Sequence, residues 1–135
     1  MHQAKNILVV DDDLAIREVL LNALSKRGYN VVVAEDGAIA IKELSLHPFD
    51  LVITDIIMPE RDGVELLFTI RRHYPHIKTI AMSAGGRILA EDLLQMARNI
   101  GAFAIMHKPF SIQDLYETIA RVLDKEIPAE DDFLL

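Results

Sequence analysis

The chain has 135 residues, of which 51% are hydrophobic, with a formal net charge of −7 and no cysteine. This length gives room for one domain with an ordinary hydrophobic core, and the lack of cysteine excludes disulfides, thiolate zinc sites and thiol redox chemistry. The acidic balance argues against nucleic acid as a direct partner, because phosphate backbones are bound by surplus Lys and Arg.

The first residues do not have the pattern of a targeting segment. Residues 1–6, MHQAKN, are polar and run directly into a short apolar segment, whereas a secretory signal needs a basic start and a longer apolar stretch. No apolar run approaches the roughly 20 residues that a membrane-spanning helix requires. We therefore expect a soluble, cytoplasmic protein with no membrane partner.

Predicted strands and helices alternate along the chain. The first strand, 7–10, is continuously apolar, and the next segment repeats apolar residues at helical spacing from Ile16 to Leu24 until Gly28 ends the helix. The later predicted strands are 29–34, 51–54, 77–82 and 102–106, and the later predicted helices are 38–46, 64–74, 88–100 and a last one that follows an N-cap at Ser111.

Five strand–helix units in series predict an α/β fold, a doubly wound parallel sheet of five strands with five helices on its two faces. The flavodoxin-like strand order 2-1-3-4-5 makes strands one and three neighbours at the point where the order reverses, and ligands bind there in such sheets. Residues 1–124 are predicted to form this domain. Residues 125–135 are acidic and contain Pro128, which indicates a C-terminal tail or the start of a linker.

Residues that can support phosphoryl chemistry follow the predicted strands. Asp11 and Asp12 follow strand one, Asp55 follows strand three, and Ser83 and Lys108 follow strands four and five. Oxygen ligands of this kind suit Mg²⁺, and a carboxylate beside such an ion can attack phosphorus. A lysine and a hydroxyl nearby would neutralise and hydrogen-bond the phosphoryl oxygens.

This set of motifs resembles the receiver domain of response regulators in two-component signalling, of the single-domain, chemotaxis-regulator-like kind. The resemblance covers residues 5 to 124. It rests on Asp11-Asp12, Thr54-Asp55-Ile56-Ile57-Met58-Pro59, Asp62-Gly63, Ser83-Ala84 and Lys108-Pro109-Phe110. Each motif alone is common, whereas the full set in this order is highly specific.

The resemblance implies that Asp55 accepts a phosphoryl group from a histidine kinase or a histidine phosphotransfer protein. It implies that Mg²⁺ is held by Asp11, Asp12, Asp55 and the backbone carbonyl of Ile57. By the same resemblance the chain catalyses only its own phosphorylation and dephosphorylation, so it is not an enzyme acting on a separate substrate. Its signal would pass through contacts with a downstream protein.

The resemblance also implies roles around the metal site. Ser83 would hydrogen-bond the phosphoryl group, Lys108 would pair with it, and the Lys108–Pro109 bond would be cis. The kinase would face residues 14–16 and the loop around Pro109 and Phe110. Homodimers through the fourth helix, fifth strand and fifth helix are common in this family.

Three positions depart from the family pattern. Ile105 stands where an aromatic residue usually reports phosphorylation, and alternation along the strand predicts that Phe103 lies on the same side of it. Ile57 is apolar where the family often has a polar side chain, and Gly85 offers no side chain near the same place. These two changes predict that the phosphorylated form hydrolyses slowly.

Three other classes of protein remain open on the residues alone. A hydrolase of the haloacid dehalogenase type also has an aspartate pair after strand one, but Leu14 and Ala15 replace its usual next residues. A flavodoxin-like nucleotide binder needs a phosphate loop rich in Gly, Ser and Thr, whereas residues 11–13 would repel an anion. An interaction module of the same fold would carry the site without using it. Asp13 itself is predicted to serve the start of the first helix.

Overall fold

The computed structural model describes residues 4–56, 62–83, 95 and 99–124. The named elements are β1 Asn6–Val10, α1 Leu14–Lys26, β2 Asn30–Ala34, α2 Gly37–Leu46, β3 Leu51–Asp55, α3 Asp62–His73, β4 Lys78–Ser83, β5 Ala104–His107 and α4 Ile112–Asp124. The helix predicted at 88–100 lies mostly outside the described residues, although Gln95, Asn99 and Ile100 are helical. The predicted tail, 125–135, lies outside them altogether.

The five strands form one parallel sheet in the order β2-β1-β3-β4-β5. This confirms the predicted α/β fold and its strand order. Residues 7–10 of β1 are all apolar because both faces of the sheet are covered: Ile7 and Val9 pack against α1 and α4, while Leu8 and Val10 pack against α2 and α3.

Side-chain hydrogen bonds to backbone N–H groups fix where two of the helices, α1 and α4, begin. Asp13 Oδ1 accepts hydrogen bonds from the N–H groups of Ala15 at 2.8 Å and Ile16 at 3.4 Å. Ser111 Oγ accepts one from the Asp114 N–H at 3.0 Å. Both are N-caps, which confirms the predicted cap at Ser111 and the structural role predicted for Asp13.

One prediction about β5 is wrong. Phe103 packs in the core beneath α1 and α4, whereas Ile105 packs with Ile56, Leu67 and neighbouring residues in a separate cluster. The two side chains are therefore not on the same side. The reason is that the strand begins at Ala104 rather than at residue 102, so the two-residue alternation does not extend back to Phe103.

Within the described part of the chain, no helix is long and apolar enough to cross a membrane.

Candidate functional site

Three carboxylates meet at the carboxyl ends of β1 and β3. These strands are direct neighbours, and one oxygen from each of Asp11, Asp12 and Asp55 lies within 4.8 Å of the other two. Carboxylate oxygens at this spacing fit a hard divalent cation, and without one their charges repel at about 3 to 4 kcal/mol per pair for an effective dielectric near 20. The predicted acidic cluster is thus assembled and could hold a metal ion.

Asp11 is held by contacts on every side. Its side chain is completely buried, and its N–H donates to the Ala34 carbonyl at 3.1 Å. Its Oδ1 accepts from the Asp13 N–H at 2.9 Å, and its Oδ2 accepts from Lys108 Nζ at 2.7 Å. Arg17 Nη1 donates to its backbone carbonyl at 2.8 Å. These hydrogen bonds fix the orientation of Asp11. They also connect it to β2, to α1 and to the residue that follows β5.

Asp12 differs from Asp11 in its environment. It is exposed, whereas Asp11 and Asp55 are buried. Asp12 thus lies on the solvent side of the cluster, where an entering cation would first meet a carboxylate. The adjacent acidic residues of the sequence divide into a buried anchor, Asp11, an exposed carboxylate, Asp12, and the helix cap Asp13.

Lys108 bridges the two buried carboxylates. Its Nζ lies 2.7 Å from Asp11 Oδ2 and 3.0 Å from Asp55 Oδ2. Burial by itself lowers the pKa of Lys108, but the hydrogen bonds and negative charges of Asp11 and Asp55 outweigh that effect and raise the pKa above its ordinary value of 10.5. The ammonium is therefore fully charged at neutral pH. The Lys108–Pro109 bond is cis, as predicted.

Ser83 ends β4 between Asp55 and Lys108. It is completely buried, it is paired in register with His107, and its carbonyl accepts the Lys108 N–H at 2.6 Å. The structure thus brings five of the predicted site residues to one edge of the sheet. The sixth, Ile57 with its backbone carbonyl, lies outside the described residues, as does Gly85.

Sequence reasoning missed the role of Arg17. The pattern of the first helix does not predict this contact, in which Arg17 reaches back to the carbonyl of Asp11. A cation in the first turn of a helix is unfavourable beside the positive end of the helix dipole. That mismatch is the signal in the sequence that could have singled out Arg17.

Gly63 is also closer to the site than its sequence position predicts. The helix predicted over 64–74 starts after it, whereas α3 begins at Asp62 and Gly63 is buried in its first turn. A Cβ built on Gly63 would lie 2.0 Å from the Asp55 carbonyl oxygen and 2.7 Å from Ile56 Cα. The backbone of α3 therefore packs directly against the backbone of Asp55.

Known proteins share this sequence and fold. The profile of the Response regulator receiver domain matches residues 7–120. The chain is 34% identical to the Response regulator receiver protein CpdR of Brucella abortus over 88% of this chain and 97% of CpdR. It is also 34% identical to the Transcriptional regulatory protein GlrR of Escherichia coli over 97% of this chain and 29% of GlrR.

A solved structure agrees with these matches. The response regulator protein TrrA from Thermotoga maritima, in complex with Mg(2+)-BeF, is 35% identical with a TM-score of 0.76, covering 87% of this chain and 98% of that chain. The chain belongs to the response regulator receiver domain family. It spans less than a third of the length of GlrR and of several other regulators that it matches.

The raised pKa of Lys108 leads to a prediction at alkaline pH. A group whose pKa is higher in the folded state stabilises the fold fully below its unfolded pKa, here 10.5, and that contribution is lost as pH rises through the folded pKa. We expect the free-energy difference of unfolding between the wild type and Lys108→Met to be constant from about pH 7 to 9 and to shrink above 10.5. Denaturant titrations across this range measure it, and a difference that shrinks below pH 9 would contradict the assignment.

Proposed function

We propose that this chain is a phosphoacceptor switch, a receiver that takes a phosphoryl group from a phosphohistidine onto Asp55 in the presence of Mg²⁺. The observation that supports it most strongly is the environment of Asp55. This buried carboxylate has an oxygen within 4.8 Å of oxygens of Asp11 and Asp12, and an ammonium lies 3.0 Å from its Oδ2. A nucleophile, a cation site and a fixed positive charge therefore meet at one point, as phosphoryl transfer requires.

The transfer step is a substitution at phosphorus. A carboxylate oxygen of Asp55 forms the new O–P bond while the N–P bond of the donor breaks, and the imidazole nitrogen keeps the electron pair. The Lys108 ammonium stands beside the attacking carboxylate and is placed to pair with a phosphoryl oxygen, and Ser83 supplies a hydroxyl at the neighbouring strand end. Bound Mg²⁺ would be held by Asp11, Asp12, Asp55 and the carbonyl of Ile57, and would offset the negative charge of the transferred group.

The partners follow from this chemistry. The donor is a histidine kinase or a histidine phosphotransfer protein, and the output is a contact with a downstream protein in the cytoplasm, with no direct role for nucleic acid or membrane. Leu14, which is 58% exposed, and the exposed Ala15 and Pro109 offer the donor an apolar surface beside the site. We also propose that two copies of the chain can associate as a homodimer through the segment 88–100, β5 and α4.

The similarity to TrrA supports Mg²⁺ as the cation that this chain binds. That protein was solved with Mg(2+)-BeF, and beryllofluoride is a tetrahedral analogue of a phosphoryl group. The acidic cluster described above offers carboxylate oxygens, the kind of ligand atom that Mg²⁺ prefers. We therefore assign Mg²⁺ as the cofactor and regard the chain as self-modifying rather than as an enzyme with a separate substrate.

Intact mass measurement of the purified chain tests the proposal. With Mg²⁺ and acetyl phosphate we expect one phosphoryl adduct, and with a chelator present we expect none. An adduct or turnover that depends on Asp11 and not on Asp55 would support a phosphohydrolase. No adduct under any of these conditions would support an interaction module of the same fold.

The lifetime of the adduct is a separate prediction. Because Ile57 is apolar and Gly85 lacks a side chain, these two positions supply no polar side chain to orient a water for attack on the acyl phosphate, and we expect hydrolysis to take minutes or longer. The decay of the adduct after removal of acetyl phosphate measures this lifetime. Loss within seconds would contradict it, and Ile57→Asn should shorten the lifetime if the apolar residue is the cause.

A further inference from the structure

The carbonyl group of Asp55 has an environment that the proposed chemistry does not use. It accepts a hydrogen bond from the hydroxyl of Thr54 at 3.0 Å, and it faces the backbone of Gly63 at a distance that leaves no room for a methyl group. Thr54 is completely buried, and Gly63 is buried as well. The carbonyl of the acceptor residue thus contacts the Thr54 hydroxyl and the backbone of Gly63.

The next peptide is fixed as well. The Ile56 N–H donates to the Met82 carbonyl at 3.0 Å, which continues the ladder between β3 and β4 past Asp55. Asp55 therefore cannot move away from β4 without breaking that ladder. On the side of α3, the backbone of Gly63 lies directly against the Asp55 carbonyl.

From these contacts we infer that Gly63 and Thr54 are positioning residues for Asp55. Together they form what we call the carbonyl seat, the two contacts that hold the Asp55 carbonyl. The seat sets the position of the Asp55 carboxylate relative to Lys108 and the acidic cluster. This rests on the proposed role of Asp55 and assigns two further residues to it. Neither residue touches the phosphoryl group. Both act through the backbone of the acceptor.

The geometry shows why a side chain at position 63 must disturb the site. A Cβ there would lie 2.0 Å from the Asp55 carbonyl oxygen, and real Cβ atoms essentially never approach another heavy atom closer than 3.0 Å. The two backbones must therefore separate by at least 1 Å, and the atoms that the Cβ meets are all main-chain atoms. Within a helix alanine is otherwise preferred to glycine, so the methyl group harms the protein through this contact and not through helix propensity.

Gly63→Ala is the first test. We expect the initial rate of adduct formation from acetyl phosphate at saturating Mg²⁺ to fall roughly a hundredfold, which is the size of effect that a misplacement of 1 Å can produce. The dissociation constant for Mg²⁺, measured by calorimetry, should rise as well, since Asp55 is one of the ligands. The matched control is Ile70→Ala, in the same helix and fully buried in the core, which should lower the melting temperature but leave both quantities near the wild-type values.

Thr54 provides a second test that does not depend on how well Gly63→Ala folds. Thr54→Val keeps the shape and removes the hydroxyl, and we expect it to slow adduct formation several-fold. Thr54→Ser keeps the hydroxyl and should restore the rate. A role in packing alone predicts the reverse order, because valine preserves more buried apolar volume than serine.

The outcomes separate this inference from the proposed function. If the wild type forms no adduct, the phosphoacceptor proposal fails. If the wild type forms it and Gly63→Ala forms it at the same rate, or if Thr54→Val matches Thr54→Ser, the seat does not position Asp55 and the inference is overturned. Should Gly63→Ala not fold, the Thr54 pair decides.

Discussion

Asp55→Asn is expected to abolish the phosphoryl adduct formed with Mg²⁺ and acetyl phosphate. The amide is nearly the same size as the carboxylate but is not a nucleophile toward phosphorus at neutral pH. It also removes one of three negative charges that lie within 4.8 Å of each other. We therefore expect the variant to melt no lower than the wild type in the absence of Mg²⁺, so that loss of the adduct reports lost chemistry and not lost structure.

Asp50→Asn is the matched control for this experiment. Asp50 directly precedes β3, at the opposite end from Asp55, and its Oδ2 accepts the Asn6 N–H at 2.8 Å. The control should form the adduct at the wild-type rate even if its stability falls by about 1 kcal/mol because a neutral amide oxygen accepts the Asn6 N–H less strongly than a carboxylate. A wild-type level of adduct in Asp55→Asn would show that another residue is the acceptor.

Lys108→Met is expected to lower the stability of the fold and to make that stability depend on the Mg²⁺ concentration. The substitution leaves the buried carboxylates of Asp11 and Asp55 without the ammonium that bridges them at 2.7 and 3.0 Å. Removing one partner of a buried ion pair commonly costs roughly 3 kcal/mol. Because the acidic cluster then lacks its fixed cation, we expect Mg²⁺ to bind more tightly and to restore part of the lost stability as its concentration rises.

Denaturant titrations with and without Mg²⁺ measure this effect. Lys42→Met, at an exposed position on α2, should change the stability by no more than about 0.5 kcal/mol in either condition. A stability of Lys108→Met equal to that of the control without Mg²⁺ would contradict the role assigned to Lys108. So would a stabilisation of the variant by Mg²⁺ that is no larger than that of the wild type.

The position of the acidic cluster could be predicted because it depends on topology and not on side-chain detail. Asp11 directly follows an apolar run and Asp55 follows one after Thr54, and parallel strands bring their carboxyl ends to one edge of the sheet. The neighbouring positions of β1 and β3 follow from the strand order. The separate role of Asp13 was also predictable, because helix caps depend on local sequence.

The features that the sequence did not reveal all depend on tertiary contacts. Phe103 has the residue type of a strand, yet its N–H makes only an isolated bond to Thr79, and the ladder with β4 starts at Ala104. Arg17 reaches Asp11 through a long side chain whose direction is set by packing. Gly63 follows an aspartate, as in many turns, and only the approach of α3 to Asp55 shows why a larger residue would not fit.

Asp55 is the proposed carrier of the phosphoryl group. The most direct measurement is to treat the wild type with Mg²⁺ and acetyl phosphate, reduce the product with borohydride, which converts an aspartyl phosphate to homoserine, and map the digest by tandem mass spectrometry. We predict homoserine at position 55 and unmodified aspartate at positions 11, 12 and 13. Homoserine at position 11 or 12, or a phosphoryl group on a serine with position 55 unmodified, would contradict the account.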